Sequence, residues 1–527
     1  MKRTRLEVLD ALSCHPPLAP RDHCMRPHPV LYQLNTRVFL THLSNRLGRK
    51  ATLADIPESF LNELVDKGVH ILWLLSVWTT GPRSEKESRS NPQWMRQFEH
   101  TLEDLQPQDI GGSGFAIADY RVSESIGGPK GLEKLRDRLN QLGIRLMLDF
   151  VPNHMGLDHP WLNSHPEYLI QATQEQLDEQ PQNYFRDEAS GKIFAHGRDP
   201  YFDGWSDTVQ LDYSNSDLCS QMQTTLLTIA DQCDAVRCDM AMLLTPRVFE
   251  RTWGRSMQEF WGPAIRAVKA RYPGFEFLAE VYWDMEWELQ EEGFDYCYDK
   301  RLYDRLKDRD FVGVRNHLKA DLAYQSKLAR FLENHDEPRA ANAMDWSLHQ
   351  PAAIATYLSP GLRFFHHGQW QGNRTKISPH LIRAPDEIVD PSIELFYNKL
   401  VALLDDPIFH HGDWELLNIE RAWEDNWSSD CLLSWVWHEP QSRRVVVCVV
   451  NLAEHEAQGR IHIPEWLGAK SIDPWENLWS DEPFEMPSDQ WNAGWWTLHA
   501  QGSQIIVVAN AMGRMLEHLS AAPSERA

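Results

Sequence analysis

Eight short apolar runs, separated by stretches with helical spacing, constrain the fold of this chain more than any other feature. In the clearest unit, residues 131–142 place leucines on one helical face, the helix is expected to end at Gly143, and the apolar run 144–149 follows. Repeated strand–helix units predict parallel strands that close into a (β/α)8 TIM barrel of the α/β class. The predicted strands are residues 30–38, 69–76, 144–149, 234–238, 275–279, 294–298, 327–332 and 361–365.

The spacing of these runs predicts further domains. Residues 155–215 are polar and rich in turn residues, without a sustained helical period, so we expect an inserted subdomain after the third strand. The charged segment 82–113 is predicted to be a loop on the active face. From about residue 405 the apolar segments alternate with polar ones, which predicts an antiparallel β-sandwich. The predicted organisation is an irregular leader (1–29), a barrel (30–154 and 216–404), an insertion (155–215) and a C-terminal sandwich (405–527).

Composition narrows the classes of partner. The net charge of −24 disfavours binding to nucleic acid or to anionic membranes. No apolar stretch reaches the ~18 residues of a transmembrane helix, and the first residues lack the apolar core of a secretory signal. The eight cysteines have no metal-binding spacing, so we expect reduced thiols in a cytoplasmic protein. The oligomeric state is left open.

Three carboxylates follow predicted strands: Asp239, Glu280 and Asp336. Because the C-terminal ends of barrel strands share one face, we expect these side chains to converge there. A nucleophile, a proton donor and a group that stabilises the transition state are what cleavage of a glycosidic bond requires. The sequence therefore predicts a glycoside hydrolase.

The surroundings of two of these carboxylates suggest their roles. Arg237 lies two residues before Asp239, on the same side of the strand, and a nearby cation favours the ionised carboxylate that a nucleophile needs. A purely structural ion pair is the alternative. Glu280 ends an apolar strand, where desolvation would raise its pKa and suit a general acid, and Trp283 follows it on the leaving-group side.

Asp336 is then the candidate for stabilising the transition state. His335 and His154 each directly follow an asparagine at a strand end, which favours contact with sugar hydroxyls over a packing role.

Four short stretches resemble the conserved regions of the α-amylase superfamily, glycoside hydrolase family 13. The matching segments are Asp149 to His154, Arg237 to Asp239, Glu280, and His335 to Asp336, with Gln210 to Asp212 similar to a motif near the end of the family's domain B. The resemblance implies a barrel with domain B inserted after the third strand. It also implies Asp239 as nucleophile, Glu280 as acid/base and Asp336 as stabiliser, with Arg237, His154 and His335 binding the sugar.

The resemblance implies further site residues. Phe115, with Asp119 and Tyr120, is similar to the segment that carries the family's aromatic platform. The stretch from Asn334 to Arg339 looks more like that of exo-acting α-glucosidases and transglycosylases, which places Arg339 among the substrate-binding candidates. After Asp239 the chain lacks the Lys-His pair of many endo-acting amylases.

The family's calcium site corresponds to Asn153 and Asp212. Calcium takes about six to eight oxygen ligands, so these two residues leave calcium open, and no other cofactor is required.

The leading hypothesis is a retaining α-glycosidase that hydrolyses α-glucosidic bonds in short oligosaccharides or small glucosides. The main alternative is a transglycosylase using the same site. A non-catalytic carbohydrate-binding protein and a metal-dependent hydrolase are minor alternatives.

Overall fold

Eight parallel strands close into a barrel in chain order, as the sequence predicts. The computed structural model describes residues 26–440, 444–468, 475–480, 495–502 and 504–510, so most of the predicted leader lies outside the described residues. The strands are buried on both faces because the barrel interior and the outer helices cover them. They are β1 (Val30–Asn35), β2 (Ile71–Leu75), β3 (Arg145–Phe150), β4 (Ala235–Cys238), β5 (Glu276–Ala279), β6 (Tyr296–Tyr298), β7 (Leu328–Arg330) and β8 (Leu362–His366).

Helices surround the barrel. The predicted helix 131–142 forms as Gly128–Gln141 and buries its leucine face. The helix after β1, Thr36–Leu47, ends at Gly48 in the left-handed conformation, with a φ of 64°. The other helices along the barrel are Glu58–Asp66, Ser216–Ala230, Pro246–Trp253, Trp261–Arg271, Glu286–Glu292, Lys300–Lys307, Phe311–His317, Leu322–Ser326, Ala340–Ala343, Trp346–Tyr357, Pro391–Leu404 and Ile408–His411.

The segment 82–113 is not the loop that the sequence predicts. It contains helices Pro82–Ser90 and Pro92–Thr101, each beginning with proline at its first position. The Asn91 side chain caps the second helix by accepting from two backbone N–H groups. Four apolar side chains then form a small core of their own, Phe98, Leu102, Ile110 and Leu381. The last of these comes from a distant segment, so the packing was not visible in the local sequence.

The segment between β3 and β4 forms its own short sheets and helices. His154–Gly156 pairs antiparallel with Thr208–Gln210, and Tyr184–Arg186 pairs with Ile193–Ala195. Helices Trp161–Ser164 and Gln174–Glu179 lie between these strands in the chain. Side chains from this segment therefore lie beside the C-terminal end of β3.

The C-terminal part forms two antiparallel sheets, as predicted. The strands are β9 (Asp413–Leu416), β10 (Ile419–Arg421), β11 (Leu432–His438), β12 (Val445–Asn451), β13 (Ala457–His462), β14 (Trp475–Asn477), β15 (Trp495–Ala500) and β16 (Ile505–Asn510), and the short helix Glu465–Gly468 follows β13. The five-stranded sheet has the order β9-β11-β12-β16-β14, and the three-stranded sheet the order β10-β13-β15.

Strand β12 shows how the five-stranded sheet joins two cores. Val445, Val447 and Val449 pack between the two sheets, whereas Val446 and Cys448 face the barrel core. On the neighbouring β11, the indole N–H groups of two tryptophans both donate to the carbonyl of Leu358 on the barrel; these are Trp435 and Trp437.

Among the described residues, no helix has the length and apolar character needed to cross a bilayer.

Candidate active site

The three carboxylates predicted from the sequence lie beyond the C-terminal ends of barrel strands. Asp239 directly follows β4, Glu280 directly follows β5, and Asp336 lies in the segment after β7. Asp149 lies within β3 and pairs in register with Arg237 of β4. Because the strands are parallel neighbours, these groups share one end of the barrel.

Arg237 joins two of the carboxylates. One terminal nitrogen of its guanidinium lies 2.6 Å from Asp239 Oδ1, and the other lies 2.6 Å from Glu280 Oε2. The guanidinium is fully buried and lies near two aromatic rings, 5.4 Å from the centroid of Trp73 and 5.2 Å from that of Phe115. The fork of the arginine guanidinium thus holds both carboxylates next to each other.

Asp149 and Trp73 support this arrangement. The Trp73 indole N–H donates to Asp149 Oδ1 at 3.1 Å, and the Ser76 backbone N–H donates to Oδ2 at 3.0 Å. Asp149 Oδ1 also lies 3.7 Å from Arg237. Sequence reasoning missed Trp73, although its position in an apolar strand of the barrel was a usable signal.

Glu280 accepts from three donors. Its Oε2 accepts from Arg237 and from the Met240 backbone N–H at 2.7 Å, and its Oε1 accepts from the Tyr282 hydroxyl at 2.8 Å. Met240 presents this N–H from the left-handed region, with a φ of 44°. Burial nevertheless raises the pKa of Glu280 to about 7, against the lowering effect of Arg237. Glu280 can therefore hold a proton near neutral pH.

Asp239 and Asp336 differ in their electrostatic surroundings. Burial raises the pKa of Asp239, although the contact with Arg237 opposes this, so the cation does not produce the net lowering expected from the sequence. Burial also acts to raise the pKa of Asp336, but His335 and Arg237 outweigh it, and the pKa of Asp336 lies below its ordinary value. Asp336 is consequently an anion over the ordinary pH range.

His335 is held between three groups. Its Nε2 lies 3.0 Å from Asp336 Oδ2, and its Nδ1 accepts from the Gln33 amide at 2.8 Å. The Phe115 ring lies against the imidazole at a centroid distance of 5.3 Å. The Lys376 ammonium group donates to the backbone carbonyl of Asp336. Gln33 and Lys376 were not predicted, because neither stands next to a recognisable motif.

Two other predicted residues, His154 and Trp283, pack against aromatic side chains of the segment between β3 and β4, and His154 itself belongs to that segment. The buried His154 ring lies 5.0 Å from that of Trp205, and burial with the nearby Arg237 lowers the pKa of His154 to about 3. His154 is therefore neutral and can donate and accept hydrogen bonds. Trp283, with a φ of 64°, packs edge-on against Tyr201 at 5.0 Å.

Three of the predicted residues make no hydrogen bond or ion pair with the three carboxylates among the described residues. The Arg339 guanidinium is buried in an ion pair with Glu333 at 3.0 Å and donates to the carbonyl of His367. Asp119 is exposed on the strand Ile117–Val122. The Tyr120 hydroxyl is bonded to the backbone of Val151, donating to its carbonyl at 2.7 Å. The contacts of Arg339 and Tyr120 hold these two side chains to the scaffold, and a role in substrate binding for Arg339, Asp119 and Tyr120 stays a prediction.

Asn153 and Asp212 do not fit a calcium ion. The Asn153 amide exchanges hydrogen bonds with the Gln210 amide, using both its oxygen and its nitrogen. Asp212 Oδ1 accepts from Ser214, and Oδ2 is paired with the Arg255 guanidinium. In the described part of the chain no group of three or more His, Cys, Asp or Glu side chains could hold a metal ion. The oxygen atoms that calcium would need are already occupied by protein donors.

One part of the chain matches a known protein family. Residues 68–242 match the family model described as Alpha amylase, catalytic domain. Alpha-amylase 3 of Dictyoglomus thermophilum is 22% identical over 301 residues, which cover 53% of this chain and 57% of that protein. Maltase 1 of Drosophila virilis is 27% identical over 135 residues, which cover 25% of this chain and 16% of the maltase. The chain thus spans little more than half the length of the first relative and far less of the second.

Comparison with solved structures concerns the fold. A maltogenic alpha-amylase from Thermotoga neapolitana superposes with a TM-score of 0.63 at 18% identity, covering 92% of this chain and 98% of that one. The trehalose-6-phosphate hydrolase of Bacillus licheniformis gives a TM-score of 0.62 at 15% identity, covering 92% and 99%. Residues 68–242 therefore carry the sequence pattern of an alpha-amylase catalytic domain, within a barrel whose fold is that of solved structures from amylases and a related hydrolase.

Proposed function

We propose that this protein is a retaining α-glycosidase that cleaves α-glucosidic bonds in short oligosaccharides or small glucosides. The observation that carries the proposal is the bridge formed by Arg237 between Asp239 and Glu280, at the end of the barrel that also holds Asp336. A nucleophile, a proton donor and an anion that stabilises positive charge are then available in one place.

In the first step, Asp239 attacks the anomeric carbon. Its Oδ1 is engaged by Arg237, whereas Oδ2 makes no hydrogen bond to the described residues and is free to form the new bond. Glu280 gives its proton to the departing glycosidic oxygen, which leaves with the bonding electrons. The products are a covalent glycosyl–Asp239 ester, the released alcohol and an ionised Glu280.

In the second step, Glu280 removes a proton from water, and the water oxygen displaces Asp239 from the anomeric carbon. Arg237 stabilises both carboxylates as their charges change. Asp336 stabilises the positive charge that develops on the sugar, and His335 and His154 bind hydroxyl groups of the cleaved unit. A retaining mechanism predicts that the two reacting carboxyl groups lie about 5–5.5 Å apart in the complex with substrate.

Several features support short substrates. The residues after Asp239 are Met240 and Ala241 instead of the Lys-His pair associated with long polymers, and Trp283 with Tyr201 lies on the leaving-group side. The related proteins include a maltase and a trehalose-6-phosphate hydrolase. If a sugar hydroxyl replaces water in the second step, the same intermediate yields transglycosylation. The free thiols at cysteines 219, 233, 238, 297, 431 and 448 fit a cytoplasmic site of action.

The test is sugar release from maltose, maltotriose, isomaltose, trehalose, sucrose and soluble starch, followed by chromatography with and without glycerol as an acceptor. Asp239→Asn should abolish release, whereas the matched change Asp137→Asn, at an exposed aspartate of the helix Gly128–Gln141, should leave it intact. Formation of glycerol adducts would show that the protein transfers the sugar to an acceptor hydroxyl. Turnover that survives Asp239→Asn would contradict the mechanism.

A further inference from the structure

Two tryptophans on the C-terminal domain are exposed beside an open cavity. Trp423 is 56% exposed and Trp427 is 63% exposed, and neither belongs to a buried cluster of the described residues. The cavity, of about 640 Å³, is lined in part by Glu420, Arg421, Trp423, Glu424, Asp430 and Arg460. Large aromatic side chains exposed this close together are unusual on a surface that has no ligand.

The segment that carries the two indoles is held in place by the backbone around it. The Asn426 side chain accepts from the Ser428 N–H at 2.9 Å, and the Ser428 hydroxyl accepts from the Gln458 N–H at 2.9 Å. The Asn426 N–H donates to the Trp423 carbonyl at 3.1 Å. The backbone that carries the indoles is therefore an ordered turn, so little backbone conformational entropy is lost when a ligand binds.

Arg421 leaves one face of Trp427 open. Its guanidinium lies over the indole ring, 3.1 Å from the centroid, and also donates to the carbonyl of Glu424 at 3.1 Å. The stack covers one side of the ring and fixes its orientation. The other side remains available as a flat apolar surface.

The polar side chains of the cavity are available to a ligand. Across the described ranges, Glu420, Glu424 and Arg460 have no side-chain hydrogen bond or ion pair, and Glu420 lies opposite Arg460 on paired strands. Planar carboxylates and guanidinium groups bind pairs of neighbouring hydroxyls. Because both charge signs are present, the cavity favours a neutral ligand over a phosphorylated one. Flat apolar faces beside groups that bind paired hydroxyls suit a sugar ring.

We propose that this cavity is a second carbohydrate-binding site, specific for a chain of α-glucose units, on the C-terminal sheet and separate from the catalytic carboxylates. Sugar rings stack on Trp423 and on the open face of Trp427, and their hydroxyls bond to Glu420, Glu424 and Arg460. The choice of glucose units rests on the proposed function. The contacts proposed for this cavity do not involve the three carboxylates of the candidate active site.

The test is affinity electrophoresis in gels that contain soluble starch, using Asp239→Asn protein so that the polymer is not consumed. The double variant Trp423→Ala/Trp427→Ala should bind starch about tenfold more weakly. Trp287→Ala, which removes a tryptophan of similar exposure (57%) from the barrel, should bind like its parent. Equal retention of the double variant and its parent would overturn the proposal, and so would a parent that starch does not retard.

A second variant and a second readout separate this site from the proposed function. Glu420→Ala/Arg460→Ala changes only exposed side chains and should also weaken starch binding. With Asp239 intact, the tryptophan variant should hydrolyse maltotriose at the parent rate. Starch binding that depends on the two tryptophans, in a protein that cleaves no glucoside, would support this site and contradict the catalytic proposal.

Discussion

The Arg255 guanidinium is ion-paired with Asp212, which lies directly after the short strand Thr208–Gln210, so a protein cation occupies the carboxylate that the sequence suggested for calcium. Arg255 follows the helix Pro246–Trp253 of the barrel, so the pair joins the barrel to the segment between β3 and β4. The side chain of Asp212 is buried while that of Arg255 is 39% exposed. Arg255 therefore supplies, from the protein itself, the positive charge that a calcium ion would otherwise bring to Asp212.

Chelation should have no effect on the protein. We expect EDTA to leave the melting temperature and the hydrolysis rate unchanged, because the oxygens of Asp212 already have donors. Arg255→Ala should lower the melting temperature, since it leaves a buried carboxylate unpaired, and Arg255→Lys should lower it less. Differential scanning fluorimetry with EDTA and with added calcium measures both effects. A loss of stability in EDTA that calcium reverses would contradict this interpretation.

The pKa of Glu280 should set the basic limb of the pH–rate profile. A general acid must carry its proton, and burial raises the pKa of Glu280 to about 7, so kcat/KM should fall as the pH rises through about 7. Tyr282→Phe removes a hydrogen bond that favours the ionised form, so the limb should move to higher pH. If the basic limb of the Tyr282→Phe profile stays at the parent pH, the Tyr282 hydrogen bond does not influence the pKa of Glu280.

Two buried arginines should respond differently to replacement by lysine. Arg237→Lys loses the fork that holds Asp239 and Glu280 together, so kcat/KM should fall on the order of 100-fold. Arg339→Lys weakens an ion pair with Glu333 away from the carboxylates, so it should lower the melting temperature and leave kcat nearly unchanged. Steady-state kinetics and thermal unfolding of both variants test this contrast. Similar kinetic losses in the two would place Arg339 in the site after all.

The protein should lose stability in mild acid. His28, His70 and His410 lie together near Arg363, and burial lowers the pKa of the first two to about 3 and of the third to about 4. In the unfolded chain each has a pKa of about 6.5, so below that pH the unfolded state binds more protons than the folded state. The free energy of unfolding should therefore fall as the pH decreases from about 6.5 to about 4, by up to ~1.4 kcal/mol per pH unit for each histidine.

Melting temperatures measured between about pH 7.5 and about pH 4 test this pH dependence. His70→Asn keeps an acceptor for the Val30 N–H, which donates to His70 Nδ1, and removes one titrating group, so its melting temperature should depend less on pH. His100→Asn, at an exposed position, should follow the parent protein. Identical curves for His70→Asn and the parent would exclude His70 as a source of the effect.

The sequence predicted the barrel because its signals are local and repeated. An apolar run indicates a buried strand, as in Ile71–Leu75. A polar residue directly after such a run indicates the end of the strand, as at Asp239 and Glu280. The continuous apolar run 445–450 similarly predicted a strand of the C-terminal sheet. Each of these patterns follows from backbone geometry within a few residues.

The features that the sequence did not predict depend on contacts made outside the local motifs. Phe98 packs against Leu381, so the helices of the 82–113 segment have a core that local charge obscured. Arg339 stands beside the motif at Asp336, yet a partner six residues before it, Glu333, holds its guanidinium. Arg255 is separated from Asp212 by two helices, Ser216–Ala230 and Pro246–Trp253, and by strand β4. Proximity in sequence therefore predicted which carboxylates share one end of the barrel, but not the contacts of the residues beside them.

Strand β12 contributes its two faces to two different cores, one between the C-terminal sheets and one shared with the barrel. Removing the chain from residue 405 onward would thus expose the apolar outer surface of the barrel that is now covered by Val446, Cys448, Trp435 and Trp437. The sheet contacts Leu358 and His28, which lie shortly before barrel strands, so it covers the end of the barrel opposite the carboxylates. We therefore expect the barrel and the five-stranded sheet to unfold as one cooperative unit.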